Sequence, residues 1–180
     1  MPGCRRHEPA AQRALHALLA PRLLGICRRY ARTRAEADDL LQDTFLKLFG
    51  RLDQFRADGP FVGWAKRLCV RTCLDAYRTT LRAGFATVNL EEATDLPAPD
   101  ADALAALSAQ ELVLLIGRLP DGYRVVLTLY CIEGYAHQEI AAQLGIDERT
   151  SSSQLFKARR LLAALVRHAE TPRRPTRQAV

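Results

Sequence analysis

The sequence lacks any segment suited to crossing a membrane. No run of about 18 or more apolar residues, the length that a membrane-spanning helix needs, occurs in the chain. The opening residues, Met-Pro-Gly-Cys-Arg-Arg-His-Glu, also lack the apolar core of a secretory signal. We therefore expect a soluble, cytoplasmic protein.

Signals for disulfide bonds are missing as well. The five cysteines are an odd number and include no C-x-x-C pair, which predicts reduced thiols rather than a disulfide framework. Cys69 and Cys73 would share a helix face, but thiols that bind metals usually have more neighbours. We interpret them as small core residues.

Motifs of catalysis are absent too. The four histidines are dispersed along the chain, and no H-E-x-x-H, P-loop or nucleophile-elbow motif occurs. We interpret His137 as a surface residue of its helix rather than a ligand. The sequence therefore predicts a protein that is not an enzyme and has no catalytic residue, cofactor or metal.

Composition and charge distribution favour two helical units that are both basic. A hydrophobic content of 48%, with 10 Gly and 9 Pro, is ample for helical cores and excludes disorder throughout. Formal charge is +8 over residues 1–83, −6 over 84–117 and +4 over 118–180. Two basic units on either side of an acidic connector predict two separate contacts with polyanions.

The first unit reads as three or four helices. Apolar residues recur at spacings of three and four from Leu15 to Tyr30, which is typical of an amphipathic helix. Thr33-Arg-Ala-Glu36 has the pattern of a capping box and predicts the start of a helix that ends near Gly50. Pro60 suits the first turn of the next helix, expected over about 61–82.

This last helix has two distinct faces at ~100° per residue. One arc of roughly 60° holds basic residues, namely Arg67, Arg71, Arg78 and Arg82. Another arc holds mostly apolar residues, namely Phe61, Ala65, Leu68, Thr72, Ala76 and Thr79. One side can therefore pack while the other meets phosphate.

An acidic connector separates the two units. Pro97 and Pro99 interrupt a stretch rich in Asp and Glu, which predicts a flexible linker over 84–102. A solvated tether and a functional segment are equally open interpretations. The sequence thus predicts an all-α fold with helical domains at 10–83 and 103–168 and a basic tail at 169–180.

The second unit contains a helix-turn-helix pattern. Gly145, within Glu139-Ile-Ala-Ala-Gln-Leu-Gly-Ile146, provides the turn between two helices. The outer face of the second helix is polar and basic, with Arg149, Ser152, Ser153, Phe156, Lys157 and Arg160. The opposite face carries Ser151, Leu155, Ala158, Leu162 and Leu165. A purely structural hairpin has similar spacing, but the basic face favours DNA binding.

Several motifs, in this order, resemble the two-domain, extracytoplasmic-function type of bacterial sigma-70 factors. In the first unit the similar segments are Ala35-Glu-Ala-Asp-Asp-Leu-Leu-Gln-Asp-Thr-Phe45, Phe55-Arg-Ala-Asp-Gly-Pro-Phe-Val-Gly-Trp64 and Arg71-Thr-Cys-Leu-Asp75. In the second they are Leu119-Pro-Asp-Gly-Tyr-Arg124, Gly134-Tyr-Ala-His-Gln-Glu-Ile140 and Ala158-Arg-Arg-Leu161. The resemblance covers most of the chain outside the linker and tail.

The resemblance implies a promoter-specificity subunit that binds core RNA polymerase, recognises the −35 and −10 elements and promotes strand opening. It implies contacts with the clamp coiled coil of the largest polymerase subunit for Asp38, Asp39, Leu40, Gln42, Asp43, Phe45 and Leu46. It implies −10 contacts for Trp64, Lys66, Arg67, Arg71 and Arg78, although a packing role is favoured for Trp64. It implies −35 contacts for the outer face of the last helix, and an acidic linker in the RNA channel.

Three segments of the chain depart from the family pattern. Arg149-Thr-Ser-Ser-Ser-Gln154 stands where Gly-Thr-Val-Lys-Ser-Arg is frequent, so a basic contact is lost at Ser152 and one is gained at Arg149. Ala136 replaces a Ser or Thr cap, and Thr72 stands where Asn is common. The promoter sequence is therefore not carried over from the family.

One alternative of a different class stays open at this point. A duplex-only transcriptional regulator with an N-terminal sensing or dimerisation domain would explain the helix-turn-helix. It would not explain the arginine face or the acidic helix near Asp39. The sequence also leaves open an anti-sigma factor as a partner.

Overall fold

The computed structural model describes residues 2–56, 59–82 and 108–170. Within these ranges the regular secondary structure is entirely helical, which confirms the all-α prediction. None of the helices described there combines the length and hydropathy that a membrane span requires. The predicted linker at 84–102 lies outside the described residues. Of the predicted tail at 169–180, residues 169 and 170 are helical and the rest lies outside the described residues.

The first helical group is built on three long helices. Its elements are α1 (Pro2–Arg5), α2 (Pro9–Tyr30), α3 (Arg34–Gly50), a 3-10 turn (Leu52–Gln54) and α4 (Phe61–Arg82). Helices α2, α3 and α4 all pack against one another. Their shared core includes Leu19, Leu23, Leu48, Ala65 and Cys69, each with no more than a trace of exposed surface.

The start of α3 follows the predicted cap in part. The Thr33 hydroxyl accepts a hydrogen bond from the Glu36 N–H at 3.1 Å, which satisfies one free donor of the first turn. The Glu36 carboxylate accepts from the N–H of Arg32 at 2.7 Å rather than from that of Thr33. Helix α3 ends at Gly50, as predicted.

The second helical group contains the hairpin. Its elements are α5 (Ala109–Gly117), α6 (Asp121–Leu127), a π-helical turn (Thr128–Ile132), α7 (His137–Leu144) and α8 (Glu148–Glu170). Gly145 has φ +70°, in the left-handed region where a side chain would be strained, and it turns the chain from α7 into α8. This confirms the predicted turn.

Arg124 joins the two groups. Its side chain is only 2% exposed, yet each of its guanidinium nitrogens has a partner. Nε donates to the Tyr30 carbonyl at the end of α2 at 3.0 Å, Nη1 donates to the Leu119 carbonyl at 3.0 Å, and Nη2 donates to Asp121 at 2.7 Å. Because Asp121 neutralises the buried charge, this cation can hold α2 against α6.

A second ion pair lies beside this contact. Arg29 of α2 donates to Glu133, just after the π-helical turn, at 3.0 Å, and both side chains are largely buried. The two helical groups are therefore docked, with the C-terminal end of α2 fixed to the second group. The bounds of the two domains stay a prediction.

Candidate nucleic-acid interface

The basic face of α4 is set by what the opposite face buries. Ala65, Leu68 and Thr72 point into the core, whereas Lys66, Arg67 and Arg71 are exposed. A helix whose apolar stripe is buried has no freedom to rotate, so its basic residues face solvent together. Three cations on a short exposed stretch suit contact with a phosphate backbone.

Arg78 does not belong to this free surface. Its Nε donates to the Gln143 carbonyl of α7 at 2.6 Å, and Nη2 donates to the same oxygen. Its Nη1 pairs with Asp75 at 2.9 Å, and Asp75 also pairs with Lys47 at 3.6 Å. In this arrangement the donors of Arg78 are therefore occupied, and its contact with DNA stays a prediction. The side chain of Arg82 lies outside the described part.

Trp64 packs within an aromatic cluster at the start of α4. Its ring centroid lies 5.6 Å from that of Phe55 and 5.4 Å from that of Phe61. Phe55 and Phe61 meet edge to face at 5.1 Å. These contacts confirm that Trp64 packs, as the sequence favoured, and they fix the chain entering α4.

Helix α3 presents carboxylates without partners. Asp38, Asp39, Gln42 and Asp43 are exposed, and no ion pair within the described ranges involves the three aspartates. Leu46 lies on the same exposed side, with 73% of its surface accessible. This combination of free carboxylates and an exposed leucine suits a partner with basic and apolar groups.

Leu40 and Phe45 lie elsewhere on α3. Both are buried, and the Phe45 ring packs on His16 at 4.2 Å and on Phe49 at 5.8 Å between centroids. Because their side chains fill the core of the first group, neither is exposed here, and their contact with a partner stays a prediction. Their role in this structure is to hold the exposed side of α3 in place.

The hairpin formed by α7 and α8 is tied by a polar contact. His137 Nδ1 lies 2.9 Å from the Ser151 hydroxyl, which joins the first turn of α7 to the first turn of α8. The His137 ring also stacks on Tyr130 at 4.5 Å. His137 is half-buried, so it is more enclosed than the interpretation as a surface residue implied. Its partners come from other helices, and the spacing within its own helix could not reveal them.

The N-terminal end of α7 keeps one half of its cap. Ala136 has no side-chain acceptor, but its N–H donates to the Glu139 carboxylate at 2.8 Å. Replacing a Ser or Thr cap by Ala136 therefore removes only the hydrogen bond that a cap hydroxyl would accept from an N–H group of the first turn.

The outer face of α8 is exposed as its pattern predicted. Arg149, Ser152, Ser153 and Lys157 are exposed, while Ser151, Leu155, Ala158 and Leu162 are buried on the other side. Phe156 has 61% of its surface accessible, and the Arg160 guanidinium lies 5.4 Å over its ring. The Arg160 Nε is buried and has no hydrogen-bond partner. The exposed Phe156 ring with a guanidinium above it is suited to contact with a base edge.

Sequence reasoning missed the residues that join the two groups. Arg29, Arg124, Glu133 and Gln143 all take part in the docking contacts. The sequence did contain a signal for one of these contacts. Asp121 stands three residues before Arg124 on the same helix, a spacing typical of an ion pair, and the two side chains do pair. Nothing in the local pattern indicated the Tyr30 carbonyl as the third partner.

Comparisons with known proteins match both halves of the chain. Residues 15–83 match the family model described as "Sigma-70 region 2", and residues 109–162 match the one described as "Sigma-70, region 4". The first match covers most of α2 and all of α3 and α4, and the second runs from α5 through most of α8.

Named relatives align over most of their length. The RNA polymerase sigma factor CnrH of Cupriavidus metallidurans is 30% identical over 167 residues, which cover 86% of this chain and 87% of that protein. The ECF RNA polymerase sigma factor SigM of Mycobacterium tuberculosis is 30% identical over 146 residues, covering 81% and 72%.

A solved structure shares the fold. The sigma factor RpoE of Bartonella quintana, solved in complex with the anti-sigma factor NepR, superposes with a TM-score of 0.52 at 19% sequence identity. The superposition covers 86% of this chain and 96% of that one.

The His137–Ser151 contact predicts a measurable difference between neighbouring serines. Replacing Ser151 by Ala should lower the free energy of unfolding by about 1 kcal/mol, because a buried hydrogen bond between α7 and α8 is lost. Ser152→Ala, at the next and exposed position, should change it by less than about 0.5 kcal/mol. Urea unfolding followed by circular dichroism measures both. Equal effects of the two substitutions would contradict the contact.

Proposed function

The chain belongs to the sigma-70 family of RNA polymerase sigma factors, within the extracytoplasmic-function type. From this membership we propose which residues contact core polymerase and which contact promoter DNA. It is a promoter-specificity subunit that binds core RNA polymerase and promoter DNA. The observation that carries this conclusion is the presence of both region matches, in order, one on each helical group.

The alternative of a duplex-only regulator is not favoured. It would account for the hairpin alone, whereas the match to sigma-70 region 2 accounts for α2, α3 and α4. A sensing or dimerisation domain is not needed to explain those helices.

The exposed side of α3 is our candidate for the contact with core polymerase. Asp38, Asp39, Gln42 and Asp43 supply charge and hydrogen bonding, and Leu46 supplies apolar area at the same surface. The proposed partner is the clamp coiled coil of the largest subunit, whose basic residues would pair with these free carboxylates. Leu40 and Phe45 act indirectly, by fixing α3 on the core.

The basic face of α4 is our candidate for the −10 element. Lys66, Arg67 and Arg71 would neutralise backbone phosphates where the strands separate, so binding energy for the single strand offsets the cost of opening. Arg78 can join them only if its bonds to Gln143 break. Contact of all four cations with DNA therefore requires the two helical groups to move apart.

The outer face of α8 is our candidate for reading the −35 element as duplex. A recognition helix of this kind lies in the major groove and presents side chains to base edges. Arg149, Lys157 and Arg160 supply cationic donors, Ser152 and Ser153 supply hydroxyls, and the exposed Phe156 suits a thymine methyl.

Further properties follow from the family by analogy. We propose a cytoplasmic location, no catalytic activity of the chain itself, and an acidic linker that runs through the RNA channel. Because the relative RpoE was solved with an anti-sigma factor, an inhibitor of that class is a further candidate partner.

A charge reversal on α3 tests the polymerase contact. Asp39→Arg should weaken binding to core polymerase by about tenfold or more, since an attraction becomes a repulsion at the interface. The helical circular dichroism spectrum should not change, because the side chain is exposed. Asp53→Arg makes the same charge change at an exposed position outside α3 and should bind normally. A pull-down in which Asp39→Arg retains full affinity would refute the assignment.

Truncation on α8 tests the −35 contact. Arg160→Ala should reduce transcription from a −35 dependent promoter by about tenfold, the effect of losing one phosphate or base contact. Arg13→Ala removes an exposed arginine of α2 and should leave transcription unchanged. The measurement is run-off transcription by the reconstituted holoenzyme. If Arg160→Ala and the unsubstituted chain respond equally to removal of the −35 element, α8 does not read it through Arg160.

A further inference from the structure

Three buried thiols from two helices meet in the core of the first group. Cys27 of α2 and Cys69 and Cys73 of α4 are 0%, 0% and 2% exposed. Their sulfur atoms all lie within 4.8 Å of one another, and the Cys27 and Cys69 sulfurs are 3.5 Å apart. Cys69 and Cys73 are four residues apart and so share a helix face, which α2 meets with Cys27.

These distances fit a metal ion better than a disulfide. Metal–thiolate bonds are about 2.3 Å long, so three sulfurs around one ion stand about 4.0 Å apart. That separation is a little longer than the 3.5 Å between the Cys27 and Cys69 sulfurs and falls within the 4.8 Å that bounds all three pairs. A disulfide would require an S–S distance of about 2.05 Å and would leave the third thiol without a role.

The Cys69 thiol has a further polar neighbour on α2. It lies 3.7 Å from the Leu23 carbonyl, to which it can donate a hydrogen bond while it is protonated. A thiolate is the form that binds metal ions, so metal binding would displace this proton.

Two polar side chains of α2 that follow Cys27 closely in sequence have unused donors. The Tyr30 hydroxyl is buried without a hydrogen-bond partner. Tyr30 follows Cys27 by three residues on α2, so the two side chains lie on the same face of that helix. Arg29 has a buried Nε without a hydrogen-bond partner. Metal-bound thiolates accept hydrogen bonds from such neighbours.

We propose that Cys27, Cys69 and Cys73 form a site for one Cu(I) ion, bound by three thiolates between α2 and α4. Thiolates select Cu(I) and Zn(II), but structural zinc takes four ligands. Within the ranges that the structure describes, the cluster offers three, and it is closed to solvent that could supply a fourth.

Binding changes protonation and leaves oxidation states unchanged. The three thiols together release three protons as three Cu–S bonds form, so the copper stays monovalent. The product carries two net negative charges, which Arg29 offsets in part and Tyr30 stabilises by donating a hydrogen bond. The ion would link α2 to α4, the helix with the exposed basic face, and would thus stabilise the first helical group.

The full-length, reduced protein can be titrated anaerobically with Cu(I), supplied as its acetonitrile complex, against a competing bicinchoninate chelator. One equivalent should bind with an ultraviolet thiolate-to-Cu(I) absorption band. X-ray absorption should show three sulfurs at about 2.3 Å. The number of sulfur ligands is measured on the unsubstituted protein, so the proposal can be tested even if a cysteine variant fails to fold.

Substitutions locate the site. Cys69→Ala should lower Cu(I) affinity at least a hundredfold by removing a ligand, and Tyr30→Phe should lower it about tenfold by removing an outer hydrogen bond. Cys131→Ser, at an exposed thiol outside the cluster, should bind Cu(I) as the unsubstituted chain does.

Several outcomes would overturn the proposal. These are a sulfur count other than three, full copper affinity in Cys69→Ala, loss of affinity in Cys131→Ser, and Zn(II) binding with four ligands in preference to Cu(I). Failure of the reduced protein to compete with the chelator, accompanied by a Cys27–Cys69 disulfide under mild oxidation, would assign the cluster to thiol redox chemistry instead.

Discussion

Burial of one face on each long helix is the constraint on which the rest of the structure depends. Helix α4 buries Ala65, Leu68 and Thr72, and α8 buries Leu155, Ala158 and Leu162. Neither helix can rotate without exposing that stripe, at a cost of about 25 cal/mol for each Å² of apolar surface returned to water. The basic residues on the opposite faces are therefore presented in a fixed direction before any nucleic acid arrives, which reduces the ordering cost of binding.

A second constraint acts between the two helical groups. Arg124 is satisfied only while the Tyr30 carbonyl lies beside it, and Arg78 shares its donors between Asp75 and Gln143. In this arrangement one of the cations proposed for the −10 element serves as a docking contact instead. If the groups separate on the polymerase, Arg78 is released for DNA. The Arg124–Asp121 pair lies within α6 and can persist. Separation of the two helical groups therefore breaks the hydrogen bond from Arg124 to α2 but not the ion pair.

Local pattern was enough to predict much of this. Periodicity predicted α2, α4 and both faces of α8, Thr33 predicted the start of α3, and Gly145 predicted the turn of the hairpin. Local pattern could not predict environments that come from another helix. The Phe45 ring packs on His16 of α2, and His137 meets Ser151 and Tyr130. Cys27 and Cys69 are 42 positions apart, so no spacing rule could indicate their contact.

The central claim is that this chain gives promoter specificity to core RNA polymerase through two separately positioned basic faces. The most direct test is transcription by core polymerase, freed of its own sigma factor and reconstituted with this chain, on a library of promoter fragments. Transcripts should begin at defined start points, downstream of paired elements at a constant spacing. Transcription that starts without sequence preference, or none above that of the core enzyme alone, would contradict it.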